Sequence, residues 1–201
     1  MYMRKLVAVI CIILLFSGIA ILFWYNQWQY SLPTPMPQRY RAVKLKEHID
    51  LSGKFQAEKS GPVFLHFFNP DCPCSRFNMP HFKLLAKKYG DKMNFAVVVI
   101  TKDKNYTQKY IREKYDLNVP VLSDSTLAAA CGVYSTPQAV LLDERSTLYY
   151  RGNYNRSRYC TDKKTYYAQM AIDSLLAQQQ QPAFNKQALI AYGCSLPNCK
   201  K

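Results

Sequence analysis

Two cysteines separated by one residue, Cys72 and Cys74, lie where a predicted strand ends and a predicted helix begins. The preceding residues 62–68 form a continuous apolar run that is typical of a buried parallel strand. Residues 77–89 then place apolar side chains at helical spacing until Gly90. A thiol at such a junction meets the unpaired N–H groups and the positive dipole end of the helix, which favour the nucleophilic thiolate. We therefore expect thiol chemistry here rather than two buried apolar cysteines or a static disulfide.

The chain has seven cysteines. Cys11 lies in the first apolar run, and the even number outside that run fits an oxidising compartment. Four further cysteines are candidates for a resolving thiol or for structural disulfides: Cys131, Cys160, Cys194 and Cys199. We expect Cys131 to be a small core residue. For the other three, structural bridging is favoured, either between Cys160 and a tail cysteine or as a local loop disulfide between Cys194 and Cys199.

Residues 6–25 form an uncharged and almost wholly apolar stretch that is long enough to cross a bilayer as a helix. Trp24, Tyr25 and Trp28 lie at its far end, where an aromatic belt is expected. No small-x-small cleavage site follows, which favours an uncleaved anchor in the lipid bilayer over a signal peptide. Basic residues flank the stretch on both sides, so charge alone does not fix its orientation. The cysteine count and the N-terminal anchor favour a domain that faces the periplasm or the extracellular side.

The pattern of the remaining chain predicts one α/β domain. We expect an anchor at residues 1–30, a proline-rich linker at 31–42, a folded domain at 43–180 and a cysteine-containing tail at 181–201. Further strands are predicted at 94–101, 119–122, 138–143 and 147–151, and further helices at 106–115, 126–131 and 161–178. Residues 40–55 are expected to form an edge strand or a short helix. Strands that alternate with helices and end in a hairpin predict a mixed sheet with helices on both faces.

The formal net charge of the 201-residue chain is +14. Such a charge suits nucleic acid, anionic lipid or an acidic partner. The Lys and Arg residues are scattered, however, and no dense basic helix is present. We therefore expect a solvated basic surface and no nucleic-acid partner.

Several segments together resemble a known family. They are Phe-Phe-Asn-Pro-Asp-Cys at 67–72, Met-Pro-His-Phe at 79–82, Gly-Val-Tyr-Ser-Thr-Pro at 132–137, Leu-Leu-Asp at 141–143 and Tyr-Arg-Gly at 150–152. In this order they resemble the thioredoxin-like superfamily over about residues 60–180, and most closely the membrane-tethered thiol–disulfide oxidoreductases and redoxins of bacterial envelopes. The resemblance implies a thioredoxin-like fold, no cofactor, and Cys72 as the attacking cysteine. It also implies a cis bond between Thr136 and Pro137 beside Cys72, with the Thr136 backbone pairing with an incoming peptide.

The active-site motif departs from that of the family. The family usually has Cys-x-x-Cys, whereas this chain has Cys-Pro-Cys-Ser, with Ser75 at the resolving position. The resolving thiol is therefore open between Cys74, Cys131 and a tail cysteine. His66 lies six residues before Cys72, where thioredoxins have a buried acid. His66 is therefore a candidate for transferring the resolving proton, and a buried strand histidine held by a single hydrogen bond is the favoured alternative.

The residues favour an enzyme of the thiol–disulfide oxidoreductase class. It would act on protein or small-molecule disulfides through a Cys72 thiolate and a mixed disulfide, with an unidentified electron donor or acceptor. The alternative is a copper-binding protein or copper chaperone on the same fold, since Cys72 and Cys74 could hold Cu(I). The copper-chaperone branch of the family uses a later histidine, and none follows His81. A peroxidase is disfavoured because Asn69 stands where peroxiredoxins have Thr or Ser. A non-enzymatic interaction module with structural cysteines would differ in the alkylation rate of Cys72.

Overall fold

The computed structural model describes residues 2–26, 28–179 and 181–196. The chain forms two compact units, Met1–Leu32 and Pro33–Lys201. The first unit consists of helix α1 (Tyr2–Asn26) and a 3₁₀ helix (Trp28–Ser31). Helix α1 has 25 residues, and by length and composition it is a candidate membrane span, as the apolar stretch predicts.

The second unit is built on a mixed β-sheet. The strands are β1 (Val63–Phe68), β2 (Asn94–Val99), β3 (Val121–Leu122), β4 (Ser135–Thr136), β5 (Gln138–Leu142), β6 (Leu148–Gly152) and β7 (Cys194–Ser195). The main sheet has the order β3-β2-β1-β5-β6. Strands β1, β2 and β3 run parallel, whereas β5 is antiparallel to β1 and forms a hairpin with β6. Strands β4 and β7 form a separate two-stranded sheet.

Helices and loops cover both faces of the main sheet. The helices are α2 (Pro73–Tyr89), α3 (Gln108–Tyr115), α4 (Thr126–Ala130), α5 (Tyr167–Leu176) and α6 (Lys186–Leu189). Phe64 and Phe68 pack in one apolar cluster with residues of α2, α3 and α5. Leu65 and Phe67 pack in a second cluster with residues of α4. Because side chains alternate along a strand, the continuous apolar run of β1 fills both clusters, and the predicted mixed α/β architecture is confirmed.

The register of the sheet brings the Cys72 turn close to a cis peptide bond. Phe67, near the end of β1, lies opposite Gln138, the first residue of β5. The peptide bond between Thr136 and Pro137, directly before Gln138, is cis, as the resemblance implies. The cis bond therefore lies at the same edge of the sheet as the turn that follows β1.

Two predicted elements differ from the structure. Residues 40–55 form turns with one isolated bridge, between His48 and Thr147, instead of a strand or helix. The last long helix does not begin at residue 161. Asp162 accepts a hydrogen bond from the Lys164 amide and caps a 3₁₀ helix (Lys163–Thr165), so α5 begins only at Tyr167.

Residues of the predicted linker and tail pack on the folded domain. Thr34 is buried, and its amide donates a hydrogen bond to the carbonyl of Ala191. The Tyr40 hydroxyl donates to the carbonyl of Gly132. In the tail, Ala188 and Ala191 are fully buried. The segments that precede and follow the domain in the sequence therefore pack against it.

Candidate active site

Cys72 is the N-cap residue of α2, and its backbone is extended there. The preceding turn is held by Asn69, whose carbonyl accepts from the Cys72 amide at 3.1 Å and whose side chain accepts from the Asp71 amide at 2.9 Å. Pro73 occupies the first helical position, where its missing N–H leaves no hydrogen bond unmade. The Cys72 sulfur is thus fixed at the N-terminal end of a helix, where a thiolate is stabilised.

Cys72 forms a disulfide with Cys194, a residue 122 positions away, and their Cα atoms are 6.0 Å apart. Cys194 belongs to β7, which pairs antiparallel with β4 so that Cys194 lies opposite Thr136. The Cys72 Sγ lies 3.5 Å from the Thr136 carbonyl oxygen. A cysteine in an extended segment therefore lies beside cis-Pro137 and is covalently bound to Cys72.

This pairing corrects the expected disulfide pattern. Cys194 is bonded to Cys72, so the structure contains neither the local disulfide expected between Cys194 and Cys199 nor one between Cys194 and Cys160. Cys199 lies outside the described residues. The sequence left the partner of Cys194 open between Cys160, Cys199 and Cys72, and the antiparallel register of β7 with β4 brings Cys194 to Cys72.

Cys74 is a buried free thiol and is not bonded to Cys72. Burial raises the pKa of Cys74, and the nearby Arg158 guanidinium, which is hydrogen-bonded to the thiol, offsets part of that increase. The Asn78 side-chain Nδ2 donates to the carbonyls of Cys74 and Arg158, each at 3.3 Å. The Cys160 thiol donates to the Asn78 side-chain oxygen at 3.0 Å. Cys74 is therefore in contact with the loop that carries Arg158, whereas Cys72 is bonded to the tail.

Ser75, at the position where the family has its resolving cysteine, is fully buried. Its hydroxyl accepts a hydrogen bond from the Asn69 amide at 3.3 Å. The side chain thus stabilises the turn that holds Cys72. A hydroxyl cannot form a disulfide, so Ser75 cannot act as a resolving residue.

His66 is fully buried in β1, the strand that precedes the Cys72 turn. Its Nδ1 atom lies 2.7 Å from the Tyr154 hydroxyl, and its ring stacks on Phe82 with the centroids 4.8 Å apart. Burial, with a smaller contribution from His81, lowers the pKa of His66 to about 3. The imidazole is therefore neutral near neutral pH.

The hydrogen-bond partner of His66 was not anticipated from the sequence. Tyr154 lies 88 positions away, and no local motif links the two residues. Among the hydrogen bonds of the described residues, none joins His66 to Cys72 or Cys74. The role of His66 in proton transfer stays a prediction.

Cys131 and Cys160 are buried free thiols. Burial raises the pKa of each to about 12. Cys131 packs in the cluster around α4, as the expected core residue does, and Cys160 packs in the cluster on the other face of the sheet. A thiol in such surroundings is a poor nucleophile because the reactive thiolate is scarce.

Hydroxyl groups line the edge to which Cys194 binds. Ser135 is fully buried, and its hydroxyl lies 2.8 Å from that of Thr34 and 3.2 Å from the Cys194 carbonyl oxygen. The Thr136 hydroxyl is also buried and has no hydrogen-bond partner among the described residues. The backbone of β4 and the Cys72 sulfur together have the chemistry to bind an extended cysteine-containing peptide and to exchange its disulfide.

Within residues 2–26, 28–179 and 181–196, no group of three or more His, Cys, Asp or Glu side chains has metal-binding geometry. Cys72 is held in a disulfide, and Cys74 contacts the positively charged Arg158 guanidinium. A Cu(I) site on these two thiols would first require the disulfide with Cys194 to open.

Comparisons with known proteins agree with the fold. Over 105 residues, 49% of this chain, the sequence is 32% identical to the thioredoxin-like protein YneN of Bacillus subtilis (strain 168). The match covers 61% of that relative, which is less than two thirds of its length. An uncharacterised conserved protein from Geobacillus kaustophilus superimposes with a TM-score of 0.62 at 19% identity, covering 82% of this chain and 97% of that one. A hypothetical protein from Sinorhizobium meliloti 1021 gives a TM-score of 0.62 at 17% identity, covering 78% of this chain and 95% of that one.

The family model described as a domain of unknown function, DUF6436, matches residues 41–196. This range includes the main sheet, the Cys72 turn, the cis-Pro137 loop and the tail as far as Cys194. The domain has a thioredoxin-like fold, with β1, α2 and the cis proline arranged around Cys72. The chain belongs to the family described as a domain of unknown function, DUF6436.

Proposed function

We propose that this protein is a membrane-anchored thiol–disulfide oxidoreductase in which Cys72 is the attacking sulfur. The observation that carries the proposal is the disulfide of Cys72 with a cysteine in an extended segment paired with Thr136. A substrate peptide in a mixed disulfide needs the same two features, a sulfur within bonding distance of Cys72 and a backbone that pairs with Thr136. The proposed substrates are protein disulfides or thiols.

The position of Cys72 suits both halves of the exchange. In the reductive direction, the Cys72 thiolate attacks one sulfur of the substrate disulfide and the other sulfur leaves as a thiolate. The N-terminal end of α2 stabilises Cys72 as the attacking thiolate and again as the leaving thiolate when the mixed disulfide is resolved. In this account, pairing with Thr136 holds the substrate cysteine beside Cys72, which lowers the entropic cost of the reaction.

We also propose that the domain lies outside the cytoplasm. Helix α1 is a candidate membrane span, and Cys72 and Cys194 are joined in a disulfide. Disulfides form and persist in extracytoplasmic compartments. An extracytoplasmic partner would then supply or accept the electrons.

The first prediction concerns which cysteine performs the exchange. In full-length protein in detergent, Cys72→Ser should reduce the rate of exchange with a fluorescent peptide disulfide to the uncatalysed rate. Cys74→Ser should keep most of the wild-type rate, because Cys74 contacts Arg158 instead of the tail. Equal activity of Cys72→Ser and wild type would contradict the proposal. Tight Cu(I) binding that requires both Cys72 and Cys74, with no exchange activity, would favour the copper-binding function.

The second prediction concerns the pH dependence of alkylation. After reduction, Cys131 and Cys160 should react with iodoacetamide about tenfold faster per pH unit between about pH 7 and about pH 9, without reaching a plateau. The reason is that burial raises the pKa of both thiols to about 12, so the thiolate fraction keeps rising.

Cys72 should react fastest at neutral pH and should level off within that range, since the helix N-terminus favours its thiolate. Peptide mapping of the alkylated protein gives all rates in one experiment. A Cys72 rate that rises in parallel with those of Cys131 and Cys160 would argue for a non-enzymatic module.

The third prediction concerns topology. The test uses a reporter that is active only outside the cytoplasm. Fused after Lys201 of the full chain, this reporter should be active. Fused to a chain that lacks residues 6–25, it should be inactive. The opposite pattern would refute the proposed orientation.

A further inference from the structure

The tail is held against the domain up to the residues next to Cys194. The Ala188 carbonyl accepts hydrogen bonds from the Asn153 amide at 2.8 Å and from the Tyr150 hydroxyl at 3.3 Å. The Asn153 side chain donates to the carbonyls of Gln187 and Ile190. These contacts fix the chain beside β6 and direct the following residues to the edge of the sheet at cis-Pro137.

The last described residues of the tail then follow the path expected of a bound peptide. Tyr192 forms an isolated bridge with Pro33, and Cys194 and Ser195 pair with β4. Gly193 has a φ of +138°, and a Cβ atom there would overlap the Thr136 carbonyl oxygen. The glycine therefore allows the tail backbone to approach the cis-proline loop closely enough for Cys194 to reach Cys72.

We propose that Cys194 is the resolving cysteine of Cys72, and that residues 192–195 act as a tethered substrate in the peptide-binding edge. This inference rests on the proposed function. It assigns to the tail the role that the second cysteine of Cys-x-x-Cys has in the family, whose position here is occupied by Ser75.

Each step of the proposed reaction is a thiol–disulfide exchange. The Cys72 thiolate attacks a protein disulfide, forming a mixed disulfide and releasing one substrate thiolate. The Cys194 thiolate then attacks the Cys72 sulfur, forming the Cys72–Cys194 bond and releasing the second substrate thiolate. The substrate gains two electrons and the cysteine pair loses two, and the released thiolates take up protons from solvent. The reverse sequence oxidises a substrate dithiol.

A substrate peptide and the tail compete for the same backbone groups of β4. When Cys194 is paired with Thr136, a substrate peptide cannot pair with the same backbone groups. Resolution is therefore coupled to replacement of the substrate by the tail. Because the tail is part of the same chain, the replacement is intramolecular and does not depend on a second protein.

Burial and local contacts disfavour Cys74 as the resolving thiol. Burial raises the pKa of Cys74, and the Arg158 guanidinium offsets only part of that increase. The Asn78 side chain donates to the carbonyls of Cys74 and Arg158, which holds that part of α2 against the loop. Cys194, in contrast, is already bonded to Cys72.

The test follows the fate of a mixed disulfide in full-length protein in detergent. Reduced protein is mixed with oxidised glutathione, quenched with acid at intervals and mapped by peptide mass spectrometry. In wild type, the Cys72–glutathione adduct should be transient and should give the Cys72–Cys194 disulfide. In Cys194→Ser, the adduct should persist about tenfold longer or more, because an intramolecular reaction has been removed. Cys74→Ser should resolve at the wild-type rate.

A third variant separates docking of the tail from the presence of the thiol. Gly193→Ala keeps Cys194 but places a Cβ atom against Thr136, so the adduct should have a lifetime between those of wild type and Cys194→Ser. Circular dichroism spectra of the variants are compared to confirm that they fold alike.

The outcomes separate the two proposals. If Cys72 in wild type forms neither the glutathione adduct nor a disulfide, the proposed function fails. If wild type resolves the adduct and Cys194→Ser resolves it equally fast, or if resolution yields Cys72–Cys74 or Cys72–Cys199, the assignment of Cys194 is wrong and the function stands.

Discussion

The antiparallel pairing of Cys194 with Thr136 is the interaction on which the organisation of the site depends. Cis-Pro137 directly follows β4, Gly193 allows the tail backbone to approach Thr136 closely, and the pairing sets the two sulfur atoms within bonding distance. Without this register, Cys194 would belong to a tail with no relation to Cys72. With it, the chain supplies both the attacking sulfur and a bound partner for it.

The main sheet holds the segments that make this contact in place. Strand β1 is buried on both faces, so its end and the turn at Asn69 are held rigidly. The neighbouring β5 runs antiparallel to β1, which brings the cis-Pro137 loop beside that turn. Residues of both terminal segments, Thr34 and Ala191, then pack at the same edge. The site is therefore built from parts of the chain that are distant in sequence and adjacent at one end of the sheet.

The sequence predicts the parts of this arrangement that depend on local pattern. Apolar runs of characteristic length predicted β1, β2, the hairpin and α1, because a buried strand and a membrane-length helix each require a run of apolar residue types. Resemblance to a family added the cis bond before Pro137. The segment at 40–55 was less predictable, since it makes only turns and one bridge to Thr147.

The contacts that define the chemistry were harder to predict because they are long-range. The disulfide of Cys72 spans 122 residues, and the two-residue strand β7 is too short to produce a periodic pattern. Spacing alone left Cys194 with several possible partners, among them Cys160 and, in a local loop, Cys199. In the same way, nothing near His66 indicated that its partner would be Tyr154.

The central claim is that Cys72 and Cys194 form a reversible redox pair, and an equilibrium measurement tests it most directly. Full-length protein is equilibrated in glutathione buffers of graded potential, alkylated, and mapped for the partner of Cys72. We predict that Cys194 is the partner of Cys72 in the oxidised protein and that the bond opens and closes reversibly as the buffer potential changes. A Cys72–Cys74 disulfide in the oxidised protein, or a Cys72–Cys194 bond that once formed does not respond to the buffer, would contradict it.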